Sequence, residues 1–408
     1  MHAKLSILSS IAVLASSAAA WGIEGHSAVG HIADNLISPE TKAVVDYLLP
    51  AGWNFNRSST WADEIKGGAT REKYAWASVL HYIDAEDVTP LDANATHPVE
   101  CEIVFPRDSH GGMNIVDGIG NYTVRLVDPK QDWEQKSEAL KFLSHFVGDV
   151  TQPLHTCAKL IGGNKFFATW ENATQYIYNG RVSYFQLHVI WDVYIPQKDM
   201  NENFGGSLDA YKKWILDAVQ PGGVWATEAS SWIATDKPGF EWAKDTNDLN
   251  CGIVWDKDLL AGNGTATEND LAGEYYQKTY MEVRKQIAKG GYRFAKFLDD
   301  VLKGQPAGPV SSTAAATSTV AGGETTIPGS ETTAAPGYPT GGPAPTDGPI
   351  TSTIEVIVTP TNVPSTSQTK VVKPTGSPDT DTPVSAAVGL KSGVAAMFAL
   401  AIGAVAFL

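Results

Sequence analysis

The sequence predicts a mainly α-helical domain with a minor β-hairpin, followed by a disordered Ser/Thr/Pro-rich tail. Apolar residues recur at helical spacing in most segments between residues 21 and 303. Strand signals are scarce: they are Cys101 to Phe105 and a hairpin around Asn179-Gly180, a dipeptide suited to a type I′ turn. Beyond Gly304 the chain is mostly Ser, Thr, Pro and Gly, which bury too little apolar surface to fold.

The amino-terminal part resembles a secretory signal covering residues 1–20. A basic start at His2 and Lys4 precedes an apolar centre, and Ala18 to Ala20 form a small-residue cleavage site. An uncleaved membrane anchor is the alternative, but the apolar run is too short to span a bilayer. Cleavage would make Trp21 the mature N-terminus.

The carboxyl-terminal part has two predicted segments, a stalk over residues 304–385 and an anchor signal over residues 386–408. The chain ends in an apolar run preceded by small residues and a short spacer, as in tails that are exchanged for a GPI anchor. A single-span tail anchor is the alternative, although the run is short for a full crossing. We therefore expect a secreted, extracellular protein that a GPI anchor attaches to the cell surface or wall.

Composition limits the possible functions. The 408 residues carry a net charge of −15, which argues against binding nucleic acid through a broad basic patch. It does not exclude action on phosphodiesters through metal ions, which supply their own positive charge. Five glycosylation sequons agree with secretion and begin at Asn56, Asn94, Asn121, Asn172 and Asn263.

The first helices can be read from their start and stop signals. Ser38-Pro39-Glu40 combines a capping hydroxyl, a proline in the first turn and an acid near the positive end of the helix dipole. That helix should end before Pro50 to Gly52. A second helix carries Leu140, Leu143 and Phe146 at helical spacing.

Three more helices are predicted towards the end of the domain. They cover Leu208 to Val219, Trp225 to Ala234, and Glu274 to Leu302, the last with a kink expected at Gly290-Gly291. Of the three cysteines, Cys101 and Cys251 are the expected disulfide in an oxidising compartment. Cys157 is left over as a buried thiol, an alternative disulfide partner or a zinc ligand.

The segment SHFVGDVTQPLH carries the strongest functional signal. His145 and Asp149 are four residues apart and share one face of the predicted helix. Pro153 should end that helix and bring His155 in from another direction. Three ligand-type side chains converging on one point are typical of a zinc site.

Other His and Asp residues extend this pattern. They are His26 in WGIEGH, Asp63 in WADEIK, His81 and Asp84 in LHYID, and His188 and Asp192 in LHVIWD. Each of these alone is more often an ordinary core or surface residue. Because one zinc needs only three or four ligands, so many donors predict a multinuclear site of nitrogen and oxygen ligands.

These motifs, in this order, resemble the secreted, trinuclear-zinc, single-strand-specific nucleases and 3′-nucleotidases of fungi and plants, which are related to zinc-dependent phospholipase C. The resemblance covers residues 21–302, and its most specific element is a mature chain that begins Trp-Gly with histidine sixth. It implies one helical domain holding three Zn²⁺. The implied ligands are Asp63, His81, His145 and Asp149 for one zinc; His155, His188 and Asp192 for a second; and the amino group and carbonyl of Trp21, with His26 and a shared Asp149, for the third.

The resemblance also implies how substrate is bound and cleaved. Lys66 and Asn164 would contact phosphate, Tyr82 would stack on a base and Asp84 would hydrogen-bond that base, with Asp63, Asp149, Lys66 and Asn164 as catalytic residues. Zinc lowers the pKa of water, and the hydroxide formed would attack phosphorus and leave a 5′-phosphate. Stacking on Tyr82 needs an unpaired base. We therefore expect a monomeric hydrolase acting on single-stranded DNA, RNA and 3′-nucleotides.

Two other functions stay open. A phospholipase C-like phosphodiesterase would use the same metals and suit an anchored position, although Asp84 beside Tyr82 suits a base better than an acyl chain. The second alternative is a non-catalytic cell-wall protein stabilised by zinc, because a sequence does not show whether a metal keeps an open coordination position.

Overall fold

The computed structural model confirms the mainly helical fold class with a small β-sheet. It describes residues 21–86, 101–178, 180–233, 236–256, 259, 270–308 and 355–356. The chain divides into units 1–359 and 360–408, and all of the described residues belong to the first unit. In the described part of the chain, no helix is long and apolar enough to cross a membrane.

Within the described residues, the α-helices are α1 Ile23–Leu36, α2 Pro39–Leu48, α3 Phe55–Ser58, α4 Trp61–Ile65, α5 Arg71–Tyr74, α6 Ile115–Val127, α7 Trp133–Asp149, α8 Leu187–Val189, α9 Ile195–Phe204, α10 Leu208–Val219, α11 Pro238–Asn247 and α12 Glu274–Val301. A π-helix, Ile190–Tyr194, joins α8 to α9. Short 3-10 helices cover Gly68–Thr70, Ala75–His81, Arg107–Gly112, Pro153–His155, Ala229–Trp232 and Asp248–Cys251. The strands are β1 Gln175–Tyr178, β2 Arg181–Tyr184 and β3 Glu355–Val356.

Side-chain caps explain where several helices begin. Ser38 accepts a hydrogen bond from the backbone N–H of Thr41 at the start of α2, as predicted. Asp132 caps α7 in the same way, through the N–H of Gln135. Each cap satisfies one of the backbone donors that a first helical turn leaves without a partner. The predicted ends of α2, α10 and α12 are confirmed to within one residue.

Two predicted elements are wrong. Cys101 to Phe105 is not a strand, because its backbone turns so that the N–H of Val104 donates to the buried carboxylate of Asp108. Trp225 to Ala234 is not an α-helix; it contains one 3-10 turn, Ala229–Trp232, and its last residue lies outside the described residues. Burial of Trp225 and Trp232 in the core outweighs the helical propensity of this segment.

At Gly290-Gly291, where a kink was expected, α12 continues without a break. Their role is close packing against α1. A Cβ added to Gly291 would lie 2.5 Å from Cβ of Ile32 and 2.8 Å from the carbonyl oxygen of Val29. Only a residue without a Cβ allows the two helices to approach so closely.

Two hydrophobic clusters form the core, and α1 and α12 contribute to both. One cluster includes Trp21, Trp191 and Ile287, which are fully buried. The other includes Phe146 and Phe294, which are also fully buried. The helices α1 and α12 therefore form a scaffold that runs through both clusters, and α7 packs against them in the second cluster.

The predicted hairpin is confirmed by the antiparallel pairing of β1 with β2, in which Tyr178 lies opposite Arg181. Asn179 lies outside the described residues. The short strand β3, from the predicted stalk, pairs with β1 through Val356 opposite Tyr176. The sheet therefore has three strands in the order β2-β1-β3.

The disulfide joins Cys101 to Cys251, as expected from the sequence, and closes a separation of 150 residues. It links the irregular segment before α6 to the 3-10 helix that follows α11. Cys157 is buried and takes no part in this disulfide. Among the described residues, the metal-capable groups contain no cysteine, so the structure gives no support to the zinc-ligand alternative for Cys157.

Candidate metal centre

Three groups of His and Asp side chains lie close enough to hold metal ions. They are His26, His145 and Asp149; Asp63, His81 and His145; and His155, His188 and Asp192. In each group the ligand atoms lie within 4.8 Å of one another. All eight side chains predicted as zinc ligands from the sequence therefore fall into these groups, and His145 belongs to the first two.

The scaffold brings these side chains together from distant parts of the chain. The first turn of α1 carries His26, and the last two turns of α7 carry His145 and Asp149. The helices approach closely here, since a Cβ added to Gly148 would lie 2.9 Å from Nδ1 of His26. After α7 the chain turns at Pro153, as predicted, and places His155 at the end of a 3-10 turn.

Backbone carbonyls fix the orientation of three imidazoles. The Nδ1 atoms of His145, His155 and His188 each lie 2.6 Å from a carbonyl oxygen, of Ser59, His81 and Gly162 respectively. A carbonyl only accepts hydrogen bonds, so Nδ1 of each neutral ring must carry the proton. Each Nε2 is then left with a lone pair, which is the arrangement that metal-binding histidines require.

His155 and His188 show that a cation belongs in this site. Their Nε2 atoms are 3.1 Å apart, and with both protons on Nδ1 two lone pairs face each other. Two nitrogen ligands of a tetrahedral zinc, each about 2.05 Å from the metal, are roughly 3.3 Å apart. Oδ2 of Asp192 lies 3.3 Å from Nε2 of His188 and completes a three-ligand set. The donor set and its spacing therefore fit zinc.

Asp149 connects the donor group that contains His26 with the donor group that contains His81. Its Oδ2 atom lies 2.8 Å from Nδ1 of His81 and 3.2 Å from Nε2 of His145. Its Oδ1 atom lies 3.1 Å from Nε2 of His26. Asp63 adds an oxygen 3.5 Å from Nε2 of His145. One carboxylate thus offers a different oxygen to each of two neighbouring donor groups.

Two ring nitrogens of this centre, Nδ1 of His26 and Nε2 of His81, are buried and make no hydrogen bond. Buried polar atoms without partners are rare because each carries a desolvation penalty. Their concentration at one place agrees with the donor distances and supports a metal centre.

Burial controls the protonation of the centre. Burial, reinforced by the ammonium of Lys66, lowers the pKa of His81 to about 3. Burial, reinforced by His155, lowers the pKa of His188 to about 3. Although burial opposes it, the surrounding imidazoles, His145 first, hold the pKa of Asp149 well below its usual range. His81 and His188 are thus held neutral beside an ionised Asp149, which are the forms that bind metal. In the metal-free chain Asp149 raises the pKa of His145 despite burial, and burial raises the pKa of Asp192.

Trp21, predicted to supply the third site, is fully buried beside these groups. Its indole Nε1 donates to Oγ1 of Thr151 over 3.1 Å. The next residue, Gly22, donates its N–H to the carbonyl oxygen of Asp192 over 2.8 Å. The backbone at residue 21 is therefore held between the end of α7 and the π-helix that carries Asp192.

The predicted substrate residues surround the same centre. Nζ of Lys66 lies 2.5 Å from Oδ1 of Asp63, and its side chain is only 6% exposed. Tyr82 directly follows His81 and exposes 37% of its surface. The carboxyl of Asp84 is partly buried, which raises its pKa, and its backbone oxygen lies 3.1 Å from Nε2 of His110.

Asn164 lies in a loop that packs against the third donor group. Its Nδ2 donates to the carbonyl oxygen of Ile161 over 3.0 Å. In the same loop Gly162 accepts the hydrogen bond from His188. The GGN segment therefore contacts His188 through the carbonyl of Gly162.

Sequence reasoning missed Gln152. Its Nε2 donates to Oδ1 of Asp192 over 2.5 Å, while its Oε1 accepts from the N–H of Leu154 over 2.6 Å. This buried amide leaves Oδ2 of Asp192 directed at the donor group. A proline after Gln152 was the only local signal, and it indicates a helix cap rather than a contact with Asp192.

The glycosylation sequons differ in accessibility. Asn121 on α6 and Asn172 in a turn are exposed. Asn56 is half-buried, and its Oδ1 accepts from Nζ of Lys212 over 2.6 Å and from Oγ of Ser27 over 3.0 Å. The remaining two sequons, at Asn94 and Asn263, lie outside the described residues.

Comparison with known proteins gives consistent matches over the folded part of the chain. The family described as S1/P1 Nuclease matches residues 21–303. Nuclease P1 of Penicillium citrinum is 31% identical over 289 residues, which cover 69% of this chain and 97% of that protein. Nuclease S1 of Aspergillus oryzae is 30% identical over 295 residues, covering 70% and 93%. Endonuclease 2 of Arabidopsis thaliana is 30% identical over 297 residues, covering 69% and 90%.

Proposed function

Because the chain belongs to the S1/P1 nuclease family, we propose that it is a zinc-dependent hydrolase that cleaves phosphodiester bonds in single-stranded DNA and RNA to 5′-phosphorylated products and also acts as a 3′-nucleotidase. The observation that carries the proposal is the position of Asp149, whose two oxygens face two different donor groups. A shared carboxylate between adjoining groups is the arrangement that a multinuclear phosphodiesterase centre needs.

Three Zn²⁺ would be held by the donor sets described above. The proposed ligands are Asp63, His81, His145 and Asp149 for the first; His155, His188 and Asp192 for the second; and the α-amine and carbonyl of Trp21 with His26 and Asp149 for the third. Bound zinc would supply an activated water at moderate pH and neutralise phosphate charge. The protein itself lowers the pKa of His81, His155 and His188 through burial. It orients His145, His155 and His188 through carbonyl acceptors and buries the imidazole ligands away from bulk water.

Residues at the rim would position the substrate. Lys66 is the cation beside Asp63, so its ammonium can bind a phosphate oxygen at the edge of the centre. Asn164 would add an amide to the same phosphate. The exposed ring of Tyr82 provides a stacking surface for a base, and Asp84 would accept a hydrogen bond from that base. A base inside a duplex cannot reach this surface without being unstacked, which favours single strands.

The test is hydrolysis by the zinc-loaded protein, processed to begin at Trp21. Single-stranded DNA, the same sequence as a duplex, and a 3′-nucleotide are compared at one salt concentration and pH. We expect cleavage of the first and third substrates, loss on chelation and recovery with zinc. Equal rates on single and double strands would contradict single-strand specificity. Zinc binding without cleavage of nucleic acid, but with cleavage of phosphatidylcholine, would favour the phospholipase alternative.

Substitutions at Tyr82 test whether its ring stacks on a base of the substrate. Tyr82→Ala should raise KM for single-stranded DNA roughly 5- to 150-fold, because a base–aromatic stack contributes about 1–3 kcal/mol. Tyr82→Phe should keep most of the affinity. Trp76, also an exposed aromatic residue at 51%, supplies the control Trp76→Ala. An unchanged KM in Tyr82→Ala would remove Tyr82 from the substrate site.

Location is a separate part of the proposal. We propose that residues 1–20 direct secretion and that residues 386–408 are exchanged for a GPI anchor, with the enzyme acting as a monomer outside the cell. Both segments lie outside the described residues. Release of activity from intact cells by a phosphatidylinositol-specific phospholipase supports the anchor, and activity found entirely in the medium contradicts it.

A further inference from the structure

Two fully buried asparagines contact the turn that carries His155, one of the proposed zinc ligands. Nδ2 of Asn250 donates to the carbonyl oxygen of Pro153 over 2.8 Å, and Nδ2 of Asn247 donates to the carbonyl oxygen of Thr156 over 2.7 Å. The two hydrogen bonds therefore fix the backbone on either side of His155.

The asparagines come from elements that lie far from this turn in the sequence. Asn247 is the last residue of α11, and Asn250 lies in the 3-10 helix Asp248–Cys251 that follows it. The next residue, Cys251, forms the disulfide with Cys101. The disulfide therefore holds the short helix from which Asn250 reaches the turn.

On the other side of the disulfide, a buried carboxylate ties the chain near Cys101 to Glu86. Asp108 is fully buried, and its two oxygens accept from the backbone N–H groups of Val104 over 2.7 Å and Glu86 over 3.2 Å. Val104 lies only three residues after Cys101. The disulfide is therefore also fixed to the segment that follows His81.

That segment runs beside the His155 turn. The N–H of Ile83 donates to the carbonyl oxygen of His155 over 2.8 Å, and the N–H of Ala158 donates to the carbonyl oxygen of Ala85 over 2.8 Å. The backbone around His155 is thus held from two sides, by residues 83–85 and by the two asparagines. The disulfide joins these two sides to each other.

The position of His155 decides whether the second zinc site is complete. Its Nε2 lies 3.1 Å from Nε2 of His188, close to the separation of two nitrogens on one tetrahedral zinc. A bond between zinc and an imidazole nitrogen is only about 2.0–2.1 Å long, so a small shift of the turn would change the coordination geometry.

We propose that Asn247 and Asn250 are positioning residues for His155, and that the disulfide between Cys101 and Cys251 keeps them in place. The inference rests on the proposed zinc-dependent function and names the residues that support its second zinc. Because neither asparagine is charged, both act through hydrogen bonds to the backbone and leave the charge of the metal centre unchanged.

The experiment follows the release of zinc from the zinc-loaded protein over a series of chelator concentrations, with the bound ions counted by mass spectrometry. Asn247→Leu and Asn250→Leu keep side chains of similar size but remove the N–H donors. Asn114→Leu is the matched control, because Asn114 is also fully buried and its Nδ2 donates to the carbonyl oxygen of Ser109 over 2.7 Å. Chemical unfolding gives the stability of each variant.

We expect both asparagine variants to release one of three zinc ions at a chelator concentration roughly 10- to 100-fold lower than the wild type, as is typical when an outer partner of a ligand is lost. The other two ions should be retained as in the wild type. The control should lose stability, because Asn114 also caps α6, but it should retain all three ions.

A His155→Ala background separates positioning from a general structural role. The second site then lacks its ligand, so the further change Asn250→Leu should not alter the release of the remaining ions. Earlier release of those ions would show that Asn250 supports the whole centre, and would overturn the proposal.

The disulfide is tested by combining Cys101→Ser with Cys251→Ser, which leaves neither cysteine to pair with Cys157. We expect early release of the same single zinc. Unchanged release in this variant would remove the disulfide from the proposal, and unchanged release in both asparagine variants would overturn it. A wild type that binds no zinc would contradict the proposed function and this inference together, whereas zinc binding without cleavage of nucleic acid would contradict the nuclease proposal alone.

Discussion

Oδ1 of Asp149 lies 3.1 Å from Nε2 of His26, and both side chains are buried where the start of α1 meets the end of α7. The ring of His26 also stacks on that of His145, with centroids 3.9 Å apart and an angle of 17° between the planes. The first turn of α1 is therefore tied to the residue that joins two donor groups. Several consequences can be measured.

Replacement of Asp149 should disrupt both groups together. Asp149→Asn removes the charge but keeps the shape, so we expect zinc content to fall by more than one ion per chain. Activity should fall by more than the roughly 10- to 100-fold that loss of an outer-shell partner causes. Metal content by mass spectrometry and hydrolysis of single-stranded DNA provide the measurement. The exposed Asp217→Asn is the control, and loss of a single zinc would contradict the bridging role.

The mature N-terminus should matter as a ligand. A variant that retains one residue before Trp21 has an amide in place of the α-amine at residue 21, and an amide nitrogen does not bind zinc. We expect it to lose one zinc and most of its activity while the fold is kept, because the Trp21 indole can still donate to Thr151. Full zinc content and normal turnover would refute this prediction.

Gln152 should act through Asp192 rather than on the substrate. Gln152→Met preserves the length of the side chain but removes the amide that holds Oδ1 of Asp192. Loss of such an outer partner typically weakens metal binding by roughly 10- to 100-fold. Chelator competition would measure zinc affinity directly, without relying on activity. Gln131→Met, at a partly exposed glutamine, is the control, and equal zinc affinities would exclude the positioning role.

The metal-free protein should become less stable in acid. The pKa values of His81 and His188 are about 3 in the folded chain, against 6.5 as the ordinary value, so between those values the unfolded chain binds more protons. Their stabilising contribution is complete above pH 6.5 and is lost as the pH falls towards 3. The pKa values of His26 and His155 are lowered as well, whereas the raised pKa values of His145 and Asp192 act in the opposite direction.

Chemical unfolding of the chelated protein between pH 7.5 and pH 4 would test this. The free energy of unfolding should decrease as the pH is lowered from 7.5 to 4, and His188→Asn should show a shallower decrease. Stability that rises on acidification would contradict the burial of neutral imidazoles.

The crossing of α1 and α12 should not tolerate a side chain at Gly291. Gly291→Ala would force its Cβ to within 2.5 Å of Ile32, and such overpacking costs about 1–3 kcal/mol of stability. Because α1 carries His26, zinc content should also decrease. Gly120→Ala, on α6 with nothing within 4 Å of the added Cβ, should instead stabilise by up to about 1 kcal/mol. Equal thermal stability of the two variants would show that the contact is not limiting.

Much of this molecule was predictable because the relevant signals are local. The cap at Ser38 and the apolar period of residues 208–219 act within a few residues, and both helices were predicted correctly. The spacing of His145 and Asp149 is equally local. The same holds for His188 and Asp192, although the π-helix that carries Asp192 has no clear sequence signal.

The remaining features depend on contacts between residues far apart in the chain, which no local pattern encodes. The amide of Gln152 meets Asp192, and the absent Cβ of Gly291 admits α1 rather than bending α12. The sequence by itself determined several helices, among them α2, α10 and α12, and the donor types. Tertiary packing alone decided which donors meet, because side-chain contacts across the core are settled only when the helices pack together.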